Sequence, residues 1–280
     1  MSYKFIDDRQ VINRAALPNI GVPANDTLDD ILSRINNFLG SSQSYIAKKV
    51  SLTSGSTSYT VTIPTKPDTS YIVLAIMGNT TDSHPQYQQI EVTAKSTSGF
   101  TFTWGNALDS NNYFIDYIVP SKTFPEVEAA IGSGVNSLAS TLPISQPFSG
   151  YGVIGQLQNI VDPNPQFQSI VIGSNTNSTV NLLWNVNTDS ANYQAVYMVG
   201  ATGQNSISNS STSVTVNLPI NFNTTNYAII GTIQNTVDPN PQFQPMIISN
   251  LSSNSATFSW NVARDSGNYL LNWYAISLTP

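Results

Sequence analysis

The chain has 280 residues, 40% of them hydrophobic and only 9% charged, with a net charge of -6, whereas about 25% of a typical soluble domain is charged. Wholesale disorder is excluded, and without a basic stripe the chain lacks the electrostatic footprint of a nucleic-acid binder. The absence of cysteine removes disulfides, thiolate chemistry and cysteine-ligated metals, and the uncharged surface of Asn, Ser, Thr and Gln suits an extracellular adhesin or a virion protein.

The first residues, Met1 to Asp8, lack the apolar run of a signal peptide. No stretch approaches the ~20 apolar residues that cross a bilayer as a helix, so no membrane insertion is expected. Residues 1–24 are polar and broken by proline, and read as an extended anchor peptide. An amphipathic helix is predicted within 25–40. Thr27 is its N-cap, Asp30 stands at the capping-box position, and Gly40 is the stop. Leu28, Ile31, Leu32, Ile35, Phe38 and Leu39 share one face. At about 13 residues the helix is marginal alone. It packs on the first repeat, on two symmetry mates in a trimer, or on a larger particle, with Leu28, Ile31, Ile35 and Phe38 as the anchoring or oligomerisation residues.

Beyond the helix the chain repeats itself. Tyr71 to Tyr117, Tyr151 to Tyr197 and Tyr227 to Trp273 align without a gap. The second and third windows share Asp162-Pro163-Asn164-Pro165-Gln166-Phe167-Gln168 and Asp238-Pro239-Asn240-Pro241-Gln242-Phe243-Gln244, and the first has the divergent Asp82-Ser83-His84-Pro85-Gln86-Tyr87-Gln88. Trp104, Trp184 and Trp260 fall at one offset, followed by Asp-Ser-x-Asn-Tyr ending at Tyr113, Tyr193 and Tyr269. Units are placed at 46–121, 126–201 and 202–280.

Each unit reads as strands with turn punctuation. A first strand ends at a proline (Pro64, Pro143, Pro219). Tyr71 to Ile76 is nearly continuous in apolar residues, which implies burial on both faces. Ile90 to Thr93 follows the proline turn. Gly99 to Trp104 alternates, with Phe100, Phe102 and Trp104 on one face, and Tyr113 to Val119 alternates again. About five antiparallel strands per unit and no helix signal predict an all-β chain: three tandem small antiparallel β-sandwiches, strung one after another.

The stiff Asp-Pro-Asn-Pro-Gln-Phe-Gln turn presents two alternatives. As a ligand loop, Asn164, Gln166, Phe167, Asn240, Gln242 and Phe243 offer amides and aromatic faces suited to sugars. As a plain turn, Phe167 plugs the core and Asp162 caps the chain; recurrence in every copy favours this. Asp-Ser-x-Asn-Tyr is a poor calcium ligand set and reads as an Asx-type turn delivering its tyrosine into the last strand. The repeated Trp reads as core. His84, the single histidine, stands where the sister copies have Asn164 and Asn240, so a catalytic role is not expected. No metal or cofactor motif is found, and the chain reads as no enzyme.

The run from Tyr71 through Gly99-Phe100-Thr101-Phe102-Thr103-Trp104 to Asn112-Tyr113-Phe114-Ile115-Asp116-Tyr117 resembles the lectin-like β-sandwich repeats of bacteriophage fibres, which are themselves similar to H-type lectin domains. The resemblance covers most of 46–280. It implies a phage virion structural protein, a head or tail fibre or decoration, held to capsid, neck or tail by residues 1–40 and assembled as a homotrimer. Host-surface polysaccharide is the ligand implied. A free or cell-surface multivalent lectin or adhesin is the alternative.

Overall fold

In a computed structural model of the chain, the described residues are 45–120, 126–142, 146, 151–159, 161, 164–222 and 224–278. They are all-β, with no helix among them. The N-terminal peptide and the amphipathic helix, including Leu28, Ile31, Ile35 and Phe38, lie outside the described residues.

Six strands recur three times. The first repeat has β1 (Ile46–Ser51), β2 (Ser58–Thr62), β3 (Leu74–Asn79), β4 (Glu91–Ser96), β5 (Gly99–Thr103) and β6 (Tyr113–Val119). The second has β7 (Glu126–Ala130), β8 (Ser137–Thr141), β9 (Val153–Asn159), β10 (Val171–Asn175), β11 (Thr179–Leu183) and β12 (Tyr193–Val199). The third has β13 (Gly203–Ile207), β14 (Ser213–Asn217), β15 (Tyr227–Asn235), β16 (Ile247–Leu251), β17 (Ser255–Ser259) and β18 (Tyr269–Ser277). The first strand of each set, β1, β7 or β13, is not anticipated from sequence, because segments such as Ile46-Ala47-Lys48-Lys49 do not alternate.

Within a repeat the first, sixth and third strands form one layer and the second, fifth and fourth another. The core lies between them. Val61, Val92, Phe100 and Phe102 from one layer meet Met77, Ile115, Tyr117 and Val119 from the other. The alternation of β5 explains this packing: Phe100, Phe102 and Trp104 are buried on its inner face. The Phe100 ring meets Phe102 and Tyr117 edge-on, with centroids 5.1 and 5.6 Å away. The second repeat builds the same core from Val180, Leu182, Ala195 and Tyr197.

Two strands differ from the sequence reading. The apolar run from Tyr71 enters the ladder only at Leu74. Tyr71 instead turns its hydroxyl to the carbonyls of Ser96 and Gly99, at 2.7 and 3.0 Å, and Tyr151 and Tyr227 repeat this bond pair. β6, read as alternating, is buried at all seven residues, Asp116 included. Its second face is not solvated because it packs against a neighbouring repeat.

That neighbour is reached through shared sheets. β3 pairs in parallel with β16 (Met77 opposite Ile247), and β15 with β10 (Ile233 opposite Val171). Sheets are therefore antiparallel within repeats and parallel only between them. The result is two six-stranded sheets, β1-β6-β3-β16-β17-β14 and β13-β18-β15-β10-β11-β8, beside the three-stranded β7-β12-β9 and β2-β5-β4. β4 packs on β9 without joining its ladder. The first repeat thus meets the third, the third meets the second, and the second returns to the first. Rather than beads on a string, Ile46–Pro280 form one compact unit, with head-to-tail contacts that close a three-membered ring. At its centre is a cavity of about 50 Å³ lined from matching offsets: Ala75, Gly155 and Gly231, then Ile76, Gln156 and Thr232.

Candidate functional site

The proline turns are built from inside each repeat. The backbone N–H groups of Gln86, Gln166 and Gln242 donate to the hydroxyls of Tyr113, Tyr193 and Tyr269, at 2.7, 2.7 and 2.9 Å. Burial raises the pKa of all three tyrosines, and the bond from the turn partly offsets it. Gln88, Gln168 and Gln244 accept, through Oε1, from the N–H groups of Asn106, Val186 and Val262 at 2.7, 2.9 and 3.0 Å. This ties each turn to the loop after the repeated Trp.

The loop residues fall into place around these clasps. Trp104, Trp184 and Trp260 are buried and donate through Nε1 to the carbonyls of Ser56, Val135 and Ser211, at 3.0, 3.0 and 2.9 Å. In Asp-Ser-x-Asn-Tyr the turn is made by serine, not aspartate: Ser110, Ser190 and Ser266 accept from the N–H two residues on. Asp82 and Asp238 make the Asx turns, accepting from the N–H of His84 and Asn240 at 2.9 Å each. Asp162 lies outside the described residues.

The turn then reaches the next repeat. A methyl group placed on Gly105 of the first repeat would sit 3.5 Å from the ring of Phe167 of the second. Between the first and third repeats the equivalent meeting is open. Ser83, His84 and Tyr87 of the first repeat face Thr212, Trp260 and Asn261 of the third across a cleft of about 450 Å³. The depression is shallow and open to solvent. Its wall supplies hydroxyls, an amide, an imidazole and the half-buried ring of Tyr87, with Trp260 buried beneath it and Ser83 Oγ 2.9 Å from His84 Nδ1. This set can orient a polyhydroxylated ligand by hydrogen bonds and ring contact.

The sequence-predicted residues divide. Gln166 and Gln242 spend their Oε1 atoms on the N–H groups of Asp189 and Asp265, at 3.3 and 3.2 Å. Their amides hold the loops together rather than face outward. Asn164 and Asn240 are exposed, and Phe167 and Phe243 are half-buried, so neither ring is a plug in its own core. His84, Tyr87, Thr212 and Asn261 were not singled out as binding residues. They come from different repeats, 125 or more positions apart, and only the ring brings them together.

The seams themselves carry different chemistry. Between the first and second repeats, Gln156 accepts from the Ala75 N–H (2.8 Å) and donates to the Ile90 carbonyl (2.7 Å), and Gln158 donates to the Val73 carbonyl (2.9 Å). The buried Lys95 ammonium pairs with Glu128 at 2.6 Å. Fully buried Glu91 stands here, at the offset where Val171 and Ile247 enter parallel ladders. Between the third and second repeats the groups are neutral: Thr232 exchanges two bonds with Gly155, and Asn272 donates to the Val153 carbonyl. Among the described residues no group of three or more His, Asp or Glu side chains is placed to hold a metal ion. No protein-family model, curated protein or solved structure matches this chain.

Proposed function

We propose that this is a non-enzymatic virion structural protein of a bacteriophage, a head or tail fibre or decoration, whose repeats are lectin-like β-sandwiches that bind host-surface glycans. Residues 1–40 hold it to capsid, neck or tail. The observation carrying this reading is the cleft of Ser83, His84, Tyr87, Thr212, Trp260 and Asn261, assembled from two repeats. Its turn lies at the far end of the first repeat from the point where the chain arrives from residues 1–45: Ile46 pairs with Val119, whereas Asn79, leading into the turn, pairs with Tyr113. The uncharged polar composition and the resemblance to fibre repeats support it. One chain carries three repeats in a ring, and the homotrimer that the resemblance implies, assembled through residues 1–40, is part of this reading.

The test has two parts. Antibody raised against residues 46–280 should label the surface of purified phage particles from the source; protein absent from particles would sink the virion assignment and leave the free lectin or adhesin. On a glycan array, the intact chain should bind a saccharide class that the Tyr87→Ala, His84→Ala double variant loses by at least tenfold while retaining its circular-dichroism spectrum and melting temperature. An array with no saccharide bound would reject recognition at this cleft.

A further inference from the structure

The seam that joins the first repeat to the last is held by a buried carboxylate. Asp116, in the middle of β6, has no solvent exposure. Its Oδ2 accepts from the backbone N–H of Ile229 on β15, 3.1 Å away and across the seam. Its Oδ1 has the Lys49 ammonium of β1 at 3.4 Å, long for a charge-assisted hydrogen bond. Lys49 itself lies over the rings of Phe114 and Tyr227, at 4.5 and 5.8 Å. Tyr227 on β15 is the other titratable group near Asp116, and burial keeps it neutral. β3 sets the apolar Ile76 opposite Asp116.

The molecule contains its own comparison. At the same offset the third repeat has Asn272, which makes the same reach onto the second repeat, bonding the carbonyl of Val153 at 3.2 Å. Val153 and Ile229 are themselves equivalent positions. The second repeat has Val196 there, and its seam is bonded by Gln156 and Gln158 instead. The seam between first and third repeats thus places an ionisable group where the next seam has a neutral amide, while the seam between first and second repeats carries buried Glu91 and the Lys95–Glu128 pair at other offsets.

We propose that the seam between the first and third repeats is a proton-dependent latch: with Asp116 protonated it is closed by a neutral hydrogen-bonding side chain, as Asn272 closes the next seam permanently, and loss of the proton leaves a buried charge that loosens it.

Burial pushes Asp116 up to about 7, against the opposing pull of Lys49 and of the Ile229 N–H. When the seam opens, Asp116 meets water and returns to the usual carboxylate range near 3.9. The closed form therefore binds the extra proton between those two values. Seam stability is full below about 4, declines as pH rises toward about 7, and is flat above. Within that window the opening constant rises about tenfold per pH unit.

Amide hydrogen exchange on the intact chain between pH 5 and pH 8 tests this, with the seam between third and second repeats as internal control. Exchange at Ala228–Ile230 and Met77–Gly78, relative to that at Val153–Gly155, should rise about fiftyfold from pH 5 to pH 7 and level by about pH 8. Asp116→Asn should remove the rise. Lys49→Met should move the levelling to higher pH. An unchanged ratio in the unmodified protein would overturn the latch, whether or not the variants fold; so would an Asn variant that keeps the rise.

Discussion

Arg264 illustrates how far a single position drifts between copies of one fold. It stands at the offset of Leu108 and Thr188, 1% exposed, between the rings of Trp260 and Tyr269 at 4.9 Å each. Its Nη1 donates to the Gln242 carbonyl at 2.9 Å, while Nε and Nη2 are buried without a hydrogen-bond partner. Burial pulls the guanidinium down to about 10, so it is still charged at neutral pH. The cation–π contacts return about 1–2 kcal/mol against a desolvation cost of several kcal/mol. Leu108 fills the same place in the first repeat as part of the apolar core. Arg264→Leu should therefore leave the protein unchanged or about 1–2 kcal/mol more stable, read as the denaturant midpoint at constant slope. A loss above about 1 kcal/mol would mean that the bond to Gln242 outweighs the buried charge.

Among elements, the seams decide more than the strands. β9 and β4 touch without a ladder, so Gln156 supplies there what backbone pairing supplies elsewhere. Gln156→Leu would leave the Ala75 N–H and the Ile90 carbonyl buried and unbonded. At about 1–3 kcal/mol for each abandoned group, the loss should be ~3 kcal/mol in denaturant unfolding. Thr212→Ala, exposed at the edge of the cleft, should change stability by less than about 0.5 kcal/mol, which makes it the matched control.

The whole molecule is one cooperative body. An excised second repeat, 126–201, would expose the edge of β10 where Val171, buried in the intact protein, pairs with β15 of the third repeat. It would also lose the bonds of Gln156, Gln158 and Thr232. Domains this small bury only about 60% of their unfolded surface and are marginal even when intact. Residues 46–280 should thus melt in a single calorimetric transition with matching van't Hoff and calorimetric enthalpies. The isolated repeat should show no cooperative melt. Three separable transitions, or a stable single repeat, would contradict the ring.

The repeat, its period and its all-β character are legible along the chain. Those follow from local rules: alternation along β5, proline after β2, β8 and β14, and the fixed offset from Trp to Asp-Ser-x-Asn-Tyr. The core role of Trp104, Trp184 and Trp260 was legible for the same reason. That β6 has no solvated face, that parallel pairing joins the repeats, and that Tyr87 of one repeat lies near Trp260 of another follow from the packing of repeat on repeat. Alternation reports that a strand has two faces, but not whether water or a neighbouring repeat covers the polar one. Asp116 reads as a solvated residue in the string Tyr113-Phe114-Ile115-Asp116-Tyr117, and is buried because Ile229, more than a hundred positions away, offers it an N–H. Contacts between repeats leave no periodic trace in the chain, since each depends on how two finished cores are rotated against one another.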